Sequence, residues 1–490
     1  MPNGRILYVH PSKLPVDRPL DWRRGASPYV LAPMGVVGLV NRLRTRGLDV
    51  IGLNYPMEVA INQSFRLVPW LREQSNVQLI LIDLHWYEHS YGAMDVVRAC
   101  KHVWPDVPVL LGGLTASRFA EEIMESFSAV DYIVRGDPEE PVAALAESII
   151  GGSPHPEGIP NLSYRMETAP VHNDRTYHTS LKDLATLDFV DTSFLRNADR
   201  YARFQTSDLD RLSGQWLCIG RGCHMNCGFC GGSKAAHLAL AGRETVMTRP
   251  PDIVANDIAR MADNGLTQVS LSHDPAVLGK PYWTRLFQAV RDRNTQIGLY
   301  NECWQLPGTD WVDGMADTFV LPDSQLAISP LSGNEEVRHQ NGKNYSNERL
   351  FGFLDRLKRH RIPIFIYFSL NLPGEDERTL RDTIHLADHI VREYPAELVT
   401  IANMLHTIDP ESAFAREPER FNIDVQMRTF MHYYEYCYLT PYARPEAREG
   451  RIRGFESLPP GSRSLPTMAG MWDDAATMLG PTCRPIPVVW

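Results

Sequence analysis

The chain has 490 residues, 43% hydrophobic and 22% charged, a balance that describes folded globular domains and excludes long disorder. Its formal charge is −10, and the densest basic run, RLKRHR at 356–361, ends a helical pattern, so a nucleic-acid footprint is not expected. No apolar run reaches the roughly 18 residues of a membrane span, the first residues lack an apolar signal core, and the cysteines at 100, 218, 303, 437 and 483 form no disulfide framework, which together point to a reducing cytoplasm.

In chain order, ILYVH at 6–10 predicts a strand. PMGVVGLVNRLRTRG at 33–47 predicts a helix with Val36, Val37, Leu39, Val40 and Leu43 on its apolar side and Gly47 as its stop. DVIGLNY, LILIDLHW, VPVLLGG and VDYIVRG supply four further strands, each but the first followed by a helical pattern. This alternation predicts an α/β fold over residues 1–150, a Rossmann-like, flavodoxin-like parallel sheet that binds ligands beyond its carboxyl ends. Those ends carry His10, Asn54, the run Asp83 to Glu88, Gly112 to Thr115, and Arg135 to Asp137. Residues 151–210, with the short alternating run NLSYRM, predict a hairpin and linker.

The stretch WLCIGRGCHMNCGFCGGSK at 216–234 holds Cys223, Cys227 and Cys230, three and then two residues apart. That spacing aims three thiolates at one point, and thiolates select zinc, copper(I) or iron–sulfur clusters. A zinc knuckle would need a fourth ligand, Cys218 or His224. Three thiolates alone leave a metal corner open to a substrate or cofactor. Downstream, QWLCIGR, TQVSLSH, QIGLYNE, QLAISP, PIFIYFSL and LVTIANML read as six strands, with helical patterns such as PPDIVANDIARMADNG and NERLFGFLDRLKRH between them.

CxxxCxxC with an aromatic residue before the last cysteine resembles the radical S-adenosylmethionine (SAM) enzymes. The resemblance implies a partial (β/α)6 TIM-type barrel over residues 211–420, with its active site at the carboxyl ends of the strands, and a C-terminal cap over 421–490. It implies a 4Fe-4S cluster held by Cys223, Cys227 and Cys230, with SAM chelating the fourth iron. Phe229 would lie near the adenine, and Gly231 and Gly232 would allow close backbone approach. Ser272-His273-Asp274 stand where the family often has Gly-Gly-Glu for the SAM amino group. The glycines are missing, and Ser272 and Asp274 are left as the contacts. Glu302 would meet ribose or substrate, Ser329 and Ser332 would bond the cofactor, and Arg338 would take its carboxylate by a charged fork. The plain alternatives are a helix N-cap for Ser332 and a surface ion pair for Arg338. Asn371 to Glu375 match a turn common in the family, and His406, Asp409 and DPESAFAREPERFNI resemble a barrel-closing loop.

A five-stranded domain before this motif resembles the cobalamin-dependent class of the family, the match running over about residues 5–420 through PMGVVGLVNRLRTRGLDV, VLLGGLTASRFAEEI and DYIVRGDPEEPVAAL. Cobalamin contacts are then implied for His10, His85, Trp86, Tyr87, Gly112, Gly113, Thr115 and Gly136. Asp83-Leu84-His85 imitates the start of Asp-x-His-x-x-Gly, but Glu88 stands where glycine is required, and the motif belongs after the first strand. The lower cobalt face is therefore expected to see the loop of His85, Trp86 and Tyr87. Methylthiotransferases carry a second three-cysteine cluster in their N-terminal domain, whereas this one holds only Cys100. The class implies a radical C-methyltransferase acting on a small-molecule, natural-product or peptide substrate, with flavodoxin or ferredoxin as reductant. The alternatives are cobalamin-dependent oxidation or ring rearrangement, non-radical C-methylation, and a non-catalytic cobalamin or metal sensor.

Overall fold

Runs of buried branched side chains order the first of two units. The computed structural model describes residues 4–13, 15–17, 32–167, 169–201, 215–405, 408–438, 455–457 and 465–486. Its first unit comprises Met1–Phe204, Lys234–Met247 and Met427–Arg448, and its second Gln205–Ser233, Thr248–Gln426 and Glu449–Trp490.

In the first unit β1 (Arg5–His10), β2 (Asp49–Asn54), β3 (Val77–Asp83), β4 (Val109–Gly112) and β5 (Tyr132–Val134) are parallel, and β6 (Leu162–Met166) and β7 (Ala169–His172) add an antiparallel hairpin. The order β2-β1-β3-β4-β5-β6-β7 is that of a flavodoxin-like doubly wound sheet, with its switch point between β1 and β3. Ile6, Leu7, Tyr8 and Val9 are all buried, as expected of a strand covered on both faces. Helix Met34–Thr45 buries Val37, Leu39, Val40 and Leu43, and Gly47 leaves it at φ +80°.

Two expectations change. DVIGLNY is followed by a helix after all, Tyr55–Ile61, because Asn54 accepts the Met57 N–H as its N-cap and Pro56 suits the first turn. The hairpin expected around NLSYRM forms as β6 and β7 and extends the sheet, pairing Tyr164 with Tyr132, so residues 151–210, expected as hairpin and linker, belong largely to the first unit. Helices Lys234–Ala241 and Phe430–Tyr438 also join that unit. The second sets Phe430 and Tyr433 against Phe119 and Tyr434 against Phe127.

In the second unit β8 (Gln215–Leu217), β9 (Gln268–Leu271), β10 (Gly298–Cys303), β11 (Gln325–Leu331), β12 (Ile364–Leu370) and β13 (Val399–Leu405) pair in sequence order, all parallel. Helices such as Pro251–Asp263, Asn347–His360 and Glu377–Glu393 connect them. Among the described residues the first and last strands do not pair, so this is an open, partial barrel. Trp216, Tyr300, Ala327, Phe365, Tyr367, Ala402 and Met404 form a cluster made of strand residues alone, as barrel interiors are. Register and alternation place Ser270, Glu302 and Ser329 on that same inner face. Helix Leu465–Leu479 packs here, with Leu465 and Met468 against Leu370 and Leu380, so residues 421–490 are shared between the units. Among the described residues no helix is long and apolar enough to cross a membrane.

Candidate active site

The cysteine loop leaves β8 and turns through Gly222 at φ +89°. Cys223 Sγ accepts the Met225 N–H and Cys230 Sγ the Gly232 N–H, both at 3.3 Å. Burial pushes the Cys223 thiol up to about 11 and raises Cys227 and Cys230 too, so metal loading must displace protons. Among the described residues no three His, Cys, Asp or Glu side chains converge on one ion. The spacing had suggested a single focus. A four-iron cube takes each thiolate at a different corner, and the three-thiol loop with its backbone donors fits that group. Cys218 is turned away, donating to Gly220 O at 3.3 Å, and His224 is exposed, so neither joins the three thiols in a zinc tetrahedron.

The segment after β13 grips the loop. Gly231 N–H donates to Asp409 Oδ2 at 3.0 Å, and Phe414 N–H donates to Gly228 O at 2.8 Å. A Cβ on Gly231 would stand 2.5 Å from Pro410 O, and one on Gly228 2.4 Å from the Phe414 ring. Gly231 is thus required by the chain's own approach. Phe229 packs beside Phe414 at 6.5 Å and against Leu331, Val337 and Leu372. Gly228 and Phe414 escaped the sequence reading, although the glycine inside CGFC was a visible signal. His406 lies outside the described residues.

Ser272-His273-Asp274, expected at the SAM amino group, braces neighbouring loops instead. Ser272 Oγ accepts the Ile219 N–H at 3.0 Å and bonds His273 Nδ1 at 2.8 Å. His273 Nε2 donates to Gly222 O, beside Cys223, at 2.8 Å. Because that carbonyl only accepts, Nε2 carries the proton and Nδ1 receives the serine's, and burial lowers the histidine's pKa and keeps it neutral. Asp274 accepts from Ala276 N, Asn301 Nδ2 and Trp304 N at 2.9, 3.3 and 3.0 Å. Burial pushes its carboxyl up to about 6. Three donors of the chain hold Asp274 and two bonds hold Ser272, so both serve to brace the neighbouring loops.

Arg338 is likewise corrected. It is fully buried, which removes the surface ion pair, and its guanidinium donates to Ser332 O twice (3.0 and 2.8 Å), Tyr345 O (3.1 Å) and Asn347 Oδ1 (2.5 Å). A buried guanidinium must be satisfied, and here the chain's own oxygens do it. Ser332 Oγ accepts the Asn334 N–H at 3.1 Å and sits 3.3 Å from Thr383 Oγ1, and Asn334 is the N-cap of the next helix. Ser329 Oγ is buried with no partner among the described residues, and Glu302 is half-buried, bonded by Tyr300 OH at 3.2 Å. Lys343, which no motif announced, is buried within electrostatic range of Glu302.

In the first unit His10 stands at the β1/β3 switch point. Its Nδ1 bonds Asp83 at 2.9 Å, Tyr8 OH donates to the same carboxylate at 2.7 Å, and its Nε2 is buried without a partner among the described residues. His85 and Trp86 stay half-buried with their rings 4.6 Å apart, and desolvation lowers His85 to about 4. This rim and the orphaned His10 nitrogen, beyond the carboxyl ends of β1 and β3, fit a bulky polar cofactor. The other expected contacts turn inward. Tyr87 is a core residue against Tyr433 at 5.1 Å. A Cβ on Gly113 would lie 2.6 Å from His85 Cα, and Gly112 abuts Val134. Thr115 donates N–H and O–H to His85 O. Gly136, at φ +81°, donates its N–H to Ser117 Oγ and faces Leu240 O. These residues hold the loops of the rim.

The chain matches the B12 binding domain over residues 24–146 and the Radical SAM superfamily over residues 217–387. A tRNA-2-methylthio-N(6)-dimethylallyladenosine synthase of Clavibacter michiganensis subsp. michiganensis is 27% identical over 238 residues, 46% of this chain and 42% of that protein. The Paenarthrobacter aurescens synthase is 23% identical, over 61% and 52%. The chain spans about half the length of the curated relatives it matches. Among solved structures, the radical SAM methyltransferase TsrM of Kitasatospora setae, with cobalamin and a 4Fe-4S cluster bound, superposes with TM-score 0.69 at 15% identity, covering 99% of this chain and 93% of that one. The cobalamin-dependent radical SAM enzyme OxsB gives 0.59 at 12%, covering 96% and 66%. At these identities the likeness is one of fold.

Proposed function

We propose, on the premise that the chain is a radical SAM protein with an N-terminal B12-binding domain and so works with a 4Fe-4S cluster, SAM and cobalamin, that it is a C-methyltransferase. The observation that carries this reading is the joining of those two modules in one chain, on a fold like that of TsrM, described as a methyltransferase. Once bound, the cofactors supply one-electron cleavage and methyl transfer. The chain's residues bind, orient and exclude water. Cys223, Cys227 and Cys230 hold the cluster, while His273 fixes the Gly222 peptide and Asp409 the Gly231 peptide on either side of them. The aromatic inner face of Trp216, Tyr300, Phe365 and Tyr367 suits a small organic or peptide acceptor, and a flavodoxin or ferredoxin would supply electrons.

The matched synthases suggest methylthiolation as a second reading. The only cysteine before residue 218, Cys100, lies fully buried in helix Ser90–Val103, which disfavours a second cluster there. Anaerobically reconstituted protein given methyl-labelled SAM, a reductant and an acceptor pool should place the label on acceptor carbon and release 5′-deoxyadenosine, and Cys227→Ala should do neither. Label appearing only with sulfur, or transfer surviving Cys227→Ala, would overturn it.

A further inference from the structure

The segment that grips the cysteine loop brings a charge with it. Two of the three thiols take a peptide N–H from the loop itself, Cys223 from Met225 and Cys230 from Gly232. The intervening N–H, that of Gly231, turns away from sulfur and donates to Asp409 Oδ2 at 3.0 Å. A half-buried carboxylate therefore stands one peptide from a cluster ligand. Burial pushes the Cys230 thiol up, and the Asp409 carboxylate pushes it further. The carboxylate is fixed in place. A Cβ on Gly231 would lie 2.9 Å from Asp409 Cβ, and the Ser412 N–H closes a turn onto Asp409 O at 3.2 Å. Phe414 anchors the far side of the same turn on Gly228 O at 2.8 Å. Glu411, the other carboxylate of the turn, is paired with Arg416 at 3.3 Å.

The potential of an iron–sulfur cluster follows its net charge, the hydrogen bonds to its sulfurs and its exposure. Peptide N–H donors offset the charge on thiolate sulfur and so favour the reduced form. A fixed carboxylate does the reverse, because an electron added to the cluster meets it as a like charge, and in a partly buried site that repulsion is weakly screened. The same carboxylate keeps the Gly231 N–H from sulfur, so both effects act in one direction. We propose that Asp409 is a positioning residue that lowers the reduction potential of the cluster, its charge held beside Cys230 by the Gly231 peptide. A low potential is what one-electron cleavage of a sulfonium demands. The proposal rests on the cluster of the reading above and is independent of where a methyl group goes.

Potentiometric titration of the full, anaerobically reconstituted chain without SAM, followed by electron paramagnetic resonance, reads the effect. Asp409→Asn keeps an oxygen for the Gly231 N–H and removes the charge. At the wild-type midpoint its ratio of reduced to oxidised cluster should be at least about tenfold higher, a rise of about 59 mV for one electron. Asp409→Glu keeps the charge and should stay close to wild type, and an equal rise there would show that charge is not the cause. Glu411→Gln, whose carboxylate is held by Arg416, should change the ratio by less than about twofold, or about 18 mV. Iron and sulfide content shows that each variant is loaded, and Asp409→Ser, a second neutral residue with an oxygen, takes the place of an unloaded Asn variant. A loaded neutral variant at the wild-type midpoint overturns the proposal. Loss of iron from both neutral variants does so too, since Asp409 would then be a structural support alone. Wild-type protein that takes up no iron and sulfide would instead sink the radical SAM reading itself.

Discussion

His273→Ala tests the idea that the Ser272-His273 pair supports the cysteine loop. The substitution removes the bond from Nε2 to Gly222 O at 2.8 Å and the one between Nδ1 and Ser272 Oγ at 2.8 Å. It also removes the ring contact with Trp304 at 5.4 Å. A buried carbonyl left unpaired costs about 1–3 kcal/mol, and the lost ring pair adds about 0.5–1.5 kcal/mol. A net loss of about 2–3 kcal/mol should lower the apoprotein's Tm by roughly 4–12 °C for a domain of this size. Differential scanning calorimetry of the apoprotein gives the shift, and iron and sulfide per chain after reconstitution report the loop. Both should fall, and His273→Gln, which can still reach Gly222 O, should recover part of each. An unchanged Tm with full iron loading would refute the brace and return His273 to the ligand side of the pocket.

Arg338→Met should destabilise by about 3 kcal/mol or more, since it strands two carbonyls and an amide oxygen; urea unfolding measures it, and a stable variant that loses only SAM affinity would restore the carboxylate role. Ser329→Ala deletes a buried hydroxyl that has no partner among the described residues, so apoprotein stability should stay within about 0.5 kcal/mol or rise, while binding of a barrel ligand weakens; a large destabilisation would show that the hydroxyl is satisfied. His85 has its pKa lowered by burial to about 4 and His89 well below 6.5. The unfolded chain then binds more protons between about pH 6.5 and 4, so stability is fully present above 6.5 and falls as pH drops through that window. Denaturation midpoints at pH 7.5 and 5 should show this, and His85→Gln should flatten it. Gly231→Ala drives a Cβ to 2.5 Å from Pro410 O, an overpacking of about 1–3 kcal/mol, and should reduce iron loading, whereas Gly352→Ala, in open space within helix Asn347–His360, should leave iron loading unchanged.

Periodicity set most of the architecture. Strand-length apolar runs alternating with helical patterns announced two parallel sheets, and NERLFGFLDRLKRH fell on a helix of the same bounds, Asn347–His360, because Ser346 caps it and the apolar repeat fills it. The three cysteines were equally plain, since thiol spacing within one loop is a local property.

Which charged and hydroxyl groups remain available to a ligand was not local. Asp274, Ser272 and Arg338 carry the right chemistry, but partners 27 to 53 residues away for the first two, and carbonyls beside its own helix for the third, use them first. Lys343 drew no notice in GNEEVRHQNGK, and only folding buries it within electrostatic range of Cys227 and Glu302. The sequence by itself determined elements and sheet order, because side-chain period and strand succession are written along the chain. Tertiary structure alone decided which polar groups were free, because a buried donor or acceptor takes whichever partner the fold brings within about 3 Å.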